Sequence, residues 1–238
     1  MNFKSGLTVL ALSASSVLLA SNNHAATLDI EISNLTHGIY FTPLLVSAHN
    51  GSDHLFQLGT SASSELQAMA EGGDISGLAT VASSVGANNI ENPAGGLLAP
   101  GASASITDMD TGSNTALSIV GMLLPTNDGF VGLDSWPIPS EAGTYILTLN
   151  GYDAGTEANN EVVNGDTGGM PGMDGFPANP GMNGGTGASG MTTSEENTNV
   201  HIHRGNIGDT DAEGGNSDVD SRIHRWLNPV AKVTVTVK

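Results

Sequence analysis

Two short acidic segments carry the residue types best suited to chemistry. Residues 126–132 contain Asp128, and residues 152–157 contain Asp153 and Glu157. Each segment adjoins a β-like run, so these carboxylates are expected where the chain turns at strand ends. Hard oxygen ligands on such loops suit Ca²⁺, and no lysine or arginine occurs between residues 90 and 200 to neutralise them. The alternative is that they are solvated turn residues, because Asp and Gly dominate turns.

A second acidic loop, at residues 209–220, is a further metal candidate. Its spacing approaches that of the EF-hand loop. The first, third and fifth positions would be filled by Asp209, Asp211 and Glu213, and the closing position by Asp220. No helix is predicted on either side, so a true EF-hand is not expected. The loop is either an isolated Ca²⁺ site or a solvated acidic hairpin.

Two histidines separated by one residue offer a different chemistry. His201 and His203 are predicted on one face of a strand, where they could bind Zn²⁺ or copper, with His224 or His49 completing the site. Soft sulfur ligands for Cu(I) are available from four methionines: Met170, Met173, Met182 and Met191. The competing interpretation is that both imidazoles hydrogen-bond loop backbone near the acidic segments.

Enzyme signatures are scarce. The chain has no cysteine, no Gly-x-Ser-x-Gly motif and no phosphate-binding loop. The carboxylates at 128, 153 and 157 could in principle form a glycosidase acid–base pair. A sugar cleft needs aromatic walls, and the chain has only 2 Trp, 3 Tyr and 5 Phe. We therefore expect a protein that is not an enzyme, with a hydrolase as the third possibility.

The first 26 residues are typical of an export signal. Lys4 provides the positive start, residues 7–20 are apolar, and small residues at 25 and 26 suit cleavage. The apolar run is too short for a confident membrane span, and no later segment is apolar enough for one. The mature chain is therefore expected to be secreted or periplasmic, without a transmembrane segment.

Composition narrows the partners. Asp and Glu number 24 against 6 Lys and Arg, giving a formal net charge of −18. Such acidity argues against nucleic acid and anionic membrane surfaces, and favours cations. The absence of cysteine excludes a disulfide framework. A divalent ion that binds only the folded state could stabilise the chain instead.

Periodicity predicts an antiparallel all-β fold, a β-sandwich with one or two short helices, in a single domain at residues 27–238. Alternating or apolar runs predict strands at 27–33, 39–48, 104–107, 116–124, 144–149, 200–203 and 230–237. A helix is predicted at 64–72, with Ser64 and Gln67 as a capping box, and a second one at 74–85. Residues 164–194 are rich in Gly, Pro and Met without an apolar period, which predicts a long mobile loop inserted between strands.

Several motifs in the same order resemble the spondin N-terminal domain family. They are residues 41–50 (FTPLLVSAHN), 128–135 (DGFVGLDS), 152–157 (YDAGTE) and 229–233 (PVAKV). The resemblance implies a β-sandwich with Ca²⁺ held at one end by Asp128, Asp153 and Glu157. Two positions depart from the family pattern: Gly129 replaces a usual Trp, and Glu157 replaces Asp.

The sequence therefore predicts an exported calcium-binding module with a binding, adhesion or matrix-type role toward an unknown extracellular or envelope ligand. The alternative is a periplasmic copper- or zinc-binding protein that uses His201, His203 and the methionines. Animal adhesion roles do not follow from the fold alone.

Overall fold

The computed structural model of the chain describes residues 25–165, 168–182 and 184–238. The predicted export signal lies outside the described residues except for its last two positions. The 27–238 domain boundary and the export signal therefore stay predictions.

Ten strands and two short helices make up the described chain. The strands are β1 Thr27–Asn34, β2 Tyr40–Phe41, β3 Leu45–His49, β4 Asn88–Glu91, β5 Ser103–Asp110, β6 Ala116–Leu124, β7 Gly129–Pro137, β8 Gly143–Asp153, β9 His201–Ile202 and β10 Ala231–Val237. The helices are α1 Ser64–Gly72 and α2 Ser76–Ser84. The predicted all-β class with two short helices is confirmed.

The strands are antiparallel and follow the order β4-β3-β6-β7-β8-β10-β1-β5, with β2 beside β6 and β9 beside β8. Strand β8 joins the two halves of this path. Its first seven residues pair with β10, and its last four pair with β7. The end of β8 that carries Asp153 is therefore held between β7 and β9.

Two apolar clusters stabilise the fold. In the first, alternating residues of β1 and β10, such as Ile30 and Val235, pack with Val46 and Ile119 from β3 and β6. This period-2 pattern is what buries one face of each strand. In the second, both helices cover the β6–β7 region, where Leu66 and Leu78 pack with side chains including Phe130.

The structure corrects some local predictions. The N-cap of α1 is Ser63, whose side chain accepts from the Leu66 N–H, so the cap lies one residue before the predicted Ser64. Strand β4 was not predicted, and neither was β7: residues 129–132, expected in the acidic loop at 126–132, are its first four residues. Strand β7 was missed because glycine is uncommon in strands. Gly132 is nevertheless required there, because a Cβ at this position would lie 2.6 Å from the ring of Phe56.

The Gly/Pro/Met-rich insert has no helix or strand among its described residues, as predicted. Its contacts nevertheless exceed those of a spacer. Phe176 is fully buried and packs with Val163 and Val219. The Phe176 N–H donates to Val162 O at 3.1 Å, and the Gly172 N–H donates to Glu71 Oε2 at 2.6 Å.

In the described part of the chain, no helix has both the length and the apolar character needed to cross a bilayer.

Candidate metal centre

The register of β7 and β8 brings the two acidic segments together. Gly129 pairs with Asp153, and the Ala154 N–H donates to Asp128 O at 3.2 Å. The turn before β7 is fixed by Thr126, whose Oγ1 accepts from the Gly129 N–H at 3.0 Å. Asp128 and Asp153 therefore lie side by side, although the sequence separates them widely.

Asp128 is fully buried and organises the loop that follows β8. Its Oδ2 accepts from the N–H groups of Thr156 at 2.8 Å and Glu157 at 3.2 Å. Its Oδ1 is buried and has no hydrogen-bond partner among the described residues. One oxygen of this carboxylate thus shapes the loop, and the other is left available.

Asp153 is also buried, and both its oxygens have partners. Oδ1 accepts from the Gly155 N–H at 2.9 Å, and Oδ2 accepts from Asn159 Nδ2 at 2.7 Å. Two imidazoles flank it: His201 Nδ1 lies 3.7 Å from Oδ1, and His203 Nε2 lies 3.9 Å from Oδ2.

Glu157 connects the centre to the insert. Its Oε1 accepts from Asn127 Nδ2 at 2.7 Å and from the Gly175 N–H. Its Oε2, like Oδ1 of Asp128, is buried without a partner in the described chain. The centre thus has two unpartnered carboxylate oxygens, which is unusual because buried polar groups are normally hydrogen-bonded.

Burial raises the pKa of all three carboxyl groups. For Asp128, desolvation and then the neighbouring Asp153 raise the pKa well above its ordinary value. Desolvation also raises the pKa of Asp153, and it raises that of Glu157 to about 7. Charged carboxylates are therefore costly here unless a cation or a proton accompanies them.

A family model described as Spondin_N matches residues 33–170, more than half of the chain. The chain belongs to the spondin N-terminal domain family. Spondin domains of this family are extracellular modules. The match includes Asp128, Asp153 and Glu157, and it ends before the two histidines and the 209–220 loop. No curated protein matches the chain.

The donors present in this spondin domain fit a calcium ion chemically. Calcium takes about six to eight oxygen ligands from carboxylates, carbonyls and water, and the two unpartnered oxygens belong to Asp128 and Glu157. Among the described residues, however, no three His, Cys, Asp or Glu side chains converge as a ready-made metal cluster. The carboxylate oxygens that now accept backbone N–H groups would have to turn toward the ion.

The histidines lie against Asp153. The ring of His203 is buried beside Trp226, with ring centroids 4.9 Å apart, and its Nδ1 accepts from the Gly205 N–H at 2.8 Å. Burial lowers the pKa of His203 to about 3, so the ring is neutral and its proton is on Nε2, facing Asp153. His201 Nδ1 lies 2.9 Å from Asn199 O. One of the three carboxylates, Asp153, thus lies beside both histidines, which were predicted as a separate site.

That juxtaposition comes from the pairing of β9 with β8, in which Asp153 is opposite His201. Nothing in the local sequence signals this pairing, because a long loop separates the two strands. Sequence reasoning also missed Asn127 and Asn159, whose amides hold two of the carboxylates. The position of Asn127 beside Asp128 was the available clue.

The exposed methionines do not extend this centre. Met170 and Met173 have 55 % and 45 % of their surface exposed, and Met182 packs at the Phe176 cluster. The Met191 N–H donates to Asn160 O. No described contact joins these sulfur atoms to His201 or His203.

The 209–220 loop closes on itself. Asp209 accepts from the N–H groups of Asp211, Asn216 and Ser217, and these bonds, Asn216 first, lower its pKa. Asp220 pairs with Arg222 at 2.7 Å, which lowers its pKa to about 2. Asp211 and Glu213 are exposed. The oxygens of Asp209 and Asp220 thus already have partners, unlike those of Asp128 and Glu157.

Proposed function

We propose that this chain is an exported calcium-binding module of the spondin type, with Asp128, Asp153 and Glu157 as the carboxylates that hold the ion. The observation that carries the proposal is the pair of buried, unpartnered oxygens on Asp128 and Glu157. A buried carboxylate oxygen without a partner is unfavourable. A bound cation removes that cost.

The position of Arg204 supports the same proposal. The guanidinium of Arg204 is directed elsewhere: its Nη2 donates to Asn159 O at 3.0 Å and lies 3.9 Å from Glu161 Oε1. Calcium is favoured over a softer metal because the unpartnered atoms are hard oxygens.

The role of the ion would be to hold a binding surface in one conformation. The loops at 126–128 and 154–161 are already linked through Asp128 and Asn127. Calcium would tighten these links at one end of the fold, where extracellular modules present loops to their partners. The proposed role is non-catalytic: binding, adhesion or matrix contact with a ligand outside the cytoplasm.

Thermal unfolding tests this proposal. Calcium in excess over EGTA should raise the stability of the protein by about 2.7 kcal/mol at a free concentration of about 100 Kd, if only the native state binds. Asp128→Asn should remove that gain, because the amide keeps the shape and loses the charge. Glu141→Gln, an exposed acid in the β7–β8 turn, is the matched control and should retain it. Equal midpoints with EGTA and calcium, in metal-free protein, would refute the proposal.

Transition-metal binding is the second candidate function. The observation in its favour is His201, which lies beside Asp153 and lines a pocket with Asp153 and Glu195. His203 is a poorer ligand because its Nδ1 already accepts from Gly205. Zn²⁺ titration of wild type and His201→Ala separates the two candidate functions. If wild type binds zinc stoichiometrically and the variant does not, transition-metal binding is favoured. Retained calcium stabilisation in the same variant favours the first.

A further inference from the structure

A cavity of about 410 Å³ lies between the two helices and the loop that follows β3. It is separate from the carboxylate centre, since none of its lining residues belongs to that centre. Its size falls in the range of small-molecule sites. Neither the family assignment nor the proposed calcium site gives it a role.

One side of the cavity is an apolar stripe on α2. Leu78, Val81, Ala82 and Val85 follow the spacing that places side chains on one helix face. Leu78 and Ala82 are buried, but Val81 and Val85 have 50 % and 53 % of their surface exposed. The stripe therefore begins in the core and continues, uncovered, along the cavity wall.

An aromatic ring also lines the cavity. Phe56 lines the cavity and is held in place by Phe130 and Tyr152, whose ring centroids each lie 5.0 Å from its own. A rigid aromatic ring beside the apolar face of α2 suits a ligand whose apolar part is flat or branched.

The charged groups on the cavity lining are of one sign. Among its described lining residues the fixed charges are the carboxylates of Asp53 and Glu65, with no lysine or arginine. Hydrogen bonds in the first turn of α1, that of its own backbone N–H first, lower the pKa of Glu65, so it is ionised at neutral pH. The sequence has no lysine or arginine between Lys4 and Arg204, so the segments that line the cavity carry neither residue.

We propose that this cavity binds a small amphipathic organic cation, an amine joined to an aromatic or branched aliphatic body. The ammonium group pairs with Glu65 and Asp53 at the polar rim. The apolar body lies on Phe56 and covers Val81 and Val85. The apolar half of the ligand thus covers exposed valine side chains, and its ammonium group meets carboxylates on a lining that has no lysine or arginine.

Calorimetric titration with two matched probes tests the proposal on the full-length protein. Tryptamine has the required amine and ring, and indole-3-propionate has the same ring with a carboxylate. Saturating calcium is kept in both titrations so that the amine does not compete at the carboxylate centre. Tryptamine should bind, and indole-3-propionate should not. Equal binding of both, or no tryptamine binding up to about 10 mM, would overturn the proposal.

Three variants locate the site. Glu65→Gln should weaken tryptamine binding about three- to fivefold, as expected for one partly solvated ion pair. Val81→Arg, at an exposed position, should abolish binding because it removes the apolar wall and brings in a competing cation. Glu91→Gln, an exposed acid on β4, is the matched control and should bind normally. Equal weakening in Glu65→Gln and Glu91→Gln, with matching melting curves, would mean that only net charge attracts the amine.

Discussion

At the scale of single residues, the carboxylate centre is defined by atoms that lack partners. Elsewhere in the loops, buried carboxylates are well bonded: Glu161 accepts from Ile207, Gly208 and Ser217. Asp128 and Glu157 each leave one buried oxygen unpartnered. The contrast within one molecule separates acids that shape loops from acids that are suited to a cation.

The raised pKa of Glu157 predicts a pH dependence in calcium-free protein. Its folded pKa of about 7 exceeds the ordinary 4.5, so the folded state holds the proton more tightly than the unfolded state. This group's contribution to stability is complete below pH 4.5 and is lost as pH rises through about 7, by about 3 kcal/mol at most. Unfolding in EGTA at pH 5 and pH 8 measures it.

The matched variant isolates this group. Burial lowers the pKa of His203 and His224, so these residues add an opposite slope below their ordinary values. The difference between wild type and Glu157→Gln cancels them, and the variant should gain on wild type between pH 5 and pH 8. A constant difference would contradict the assigned pKa. Saturating calcium should reduce the difference at high pH or reverse its sign.

The replacement at position 129 also has a physical reason. A Cβ on Gly129 would lie 2.6 Å from Thr126 Oγ1 and 3.1 Å from the ring of His203. The space that a larger residue would need is thus filled by Thr126, which fixes the turn, and by His203. The departure from the family pattern at this position accompanies the imidazole that lies against Asp153.

At the scale of elements, the insert is coupled to the carboxylate centre. The Gly175 N–H donates to Glu157, and the adjacent Phe176 is fully buried. A loop that supplies both a bond to the centre and an apolar anchor affects the geometry of that centre. The insert therefore belongs to the functional end of the molecule.

Phe176→Ala tests that coupling. Loss of a buried ring typically costs about 3 to 5 kcal/mol, but this ring belongs to a small loop cluster. We expect faster hydrogen exchange at Val163 and Val219 and weaker calcium binding, with β1 and β10 unchanged. Met173→Ala, at an exposed position in the same insert, is the control and should change neither. Unchanged exchange in Phe176→Ala would show that the insert is a spacer after all.

What the sequence predicts depends on the range of the interaction. Strands β1 and β10 and helix α1 follow from local periodicity and capping, and the structure has them within one residue of the predicted ends. Strand β7 was not predicted, because Gly129 and Gly132 are of a residue type that is uncommon in strands. The pairing of His201 with Asp153 was not predicted, because it joins two strands that a long loop separates and no local pattern encodes such a pairing.

The residues of the candidate site also fall into those that the sequence indicates and those that it does not. The three acids could be proposed from the sequence, because they stand in short acidic segments beside predicted strands and match motif positions of the family. Their partners Asn127 and Asn159 were not found, since an amide carries no signal until its contacts are known. The unpartnered state of two oxygens is a property of packing, which the sequence does not contain.

At the scale of the whole molecule, the part matched by the family model is not a complete sheet. Strand β10 lies beyond residue 170, yet it is placed between β8 and β1, with seven paired positions on each side. Val233 and Val235 from this strand are fully buried in the main cluster. The last strand of the described chain is therefore central to the fold.

Removal of residues 231–238 should abolish folding. The truncation exposes two strand edges and opens the main apolar cluster, so we expect loss of cooperative unfolding by circular dichroism. Removal of Lys238 alone is the control, because it breaks exposed ion pairs with Asp29 and Asp108 and one backbone hydrogen bond to Thr27 O, and exposed ion pairs contribute little to stability. A truncated protein that melts cooperatively near the wild-type midpoint would contradict this arrangement.

Calorimetric titration of Ca²⁺ into metal-free protein tests the central claim most directly. The proposed function predicts one calcium ion bound by each chain through Asp128, Asp153 and Glu157. The combined variant Asp128→Asn with Glu157→Gln should lose that binding while it keeps the wild-type circular dichroism spectrum, because both amides preserve side-chain shape. Calcium binding of equal affinity and stoichiometry in wild type and this variant, or no binding by wild type at millimolar calcium, would contradict the assignment.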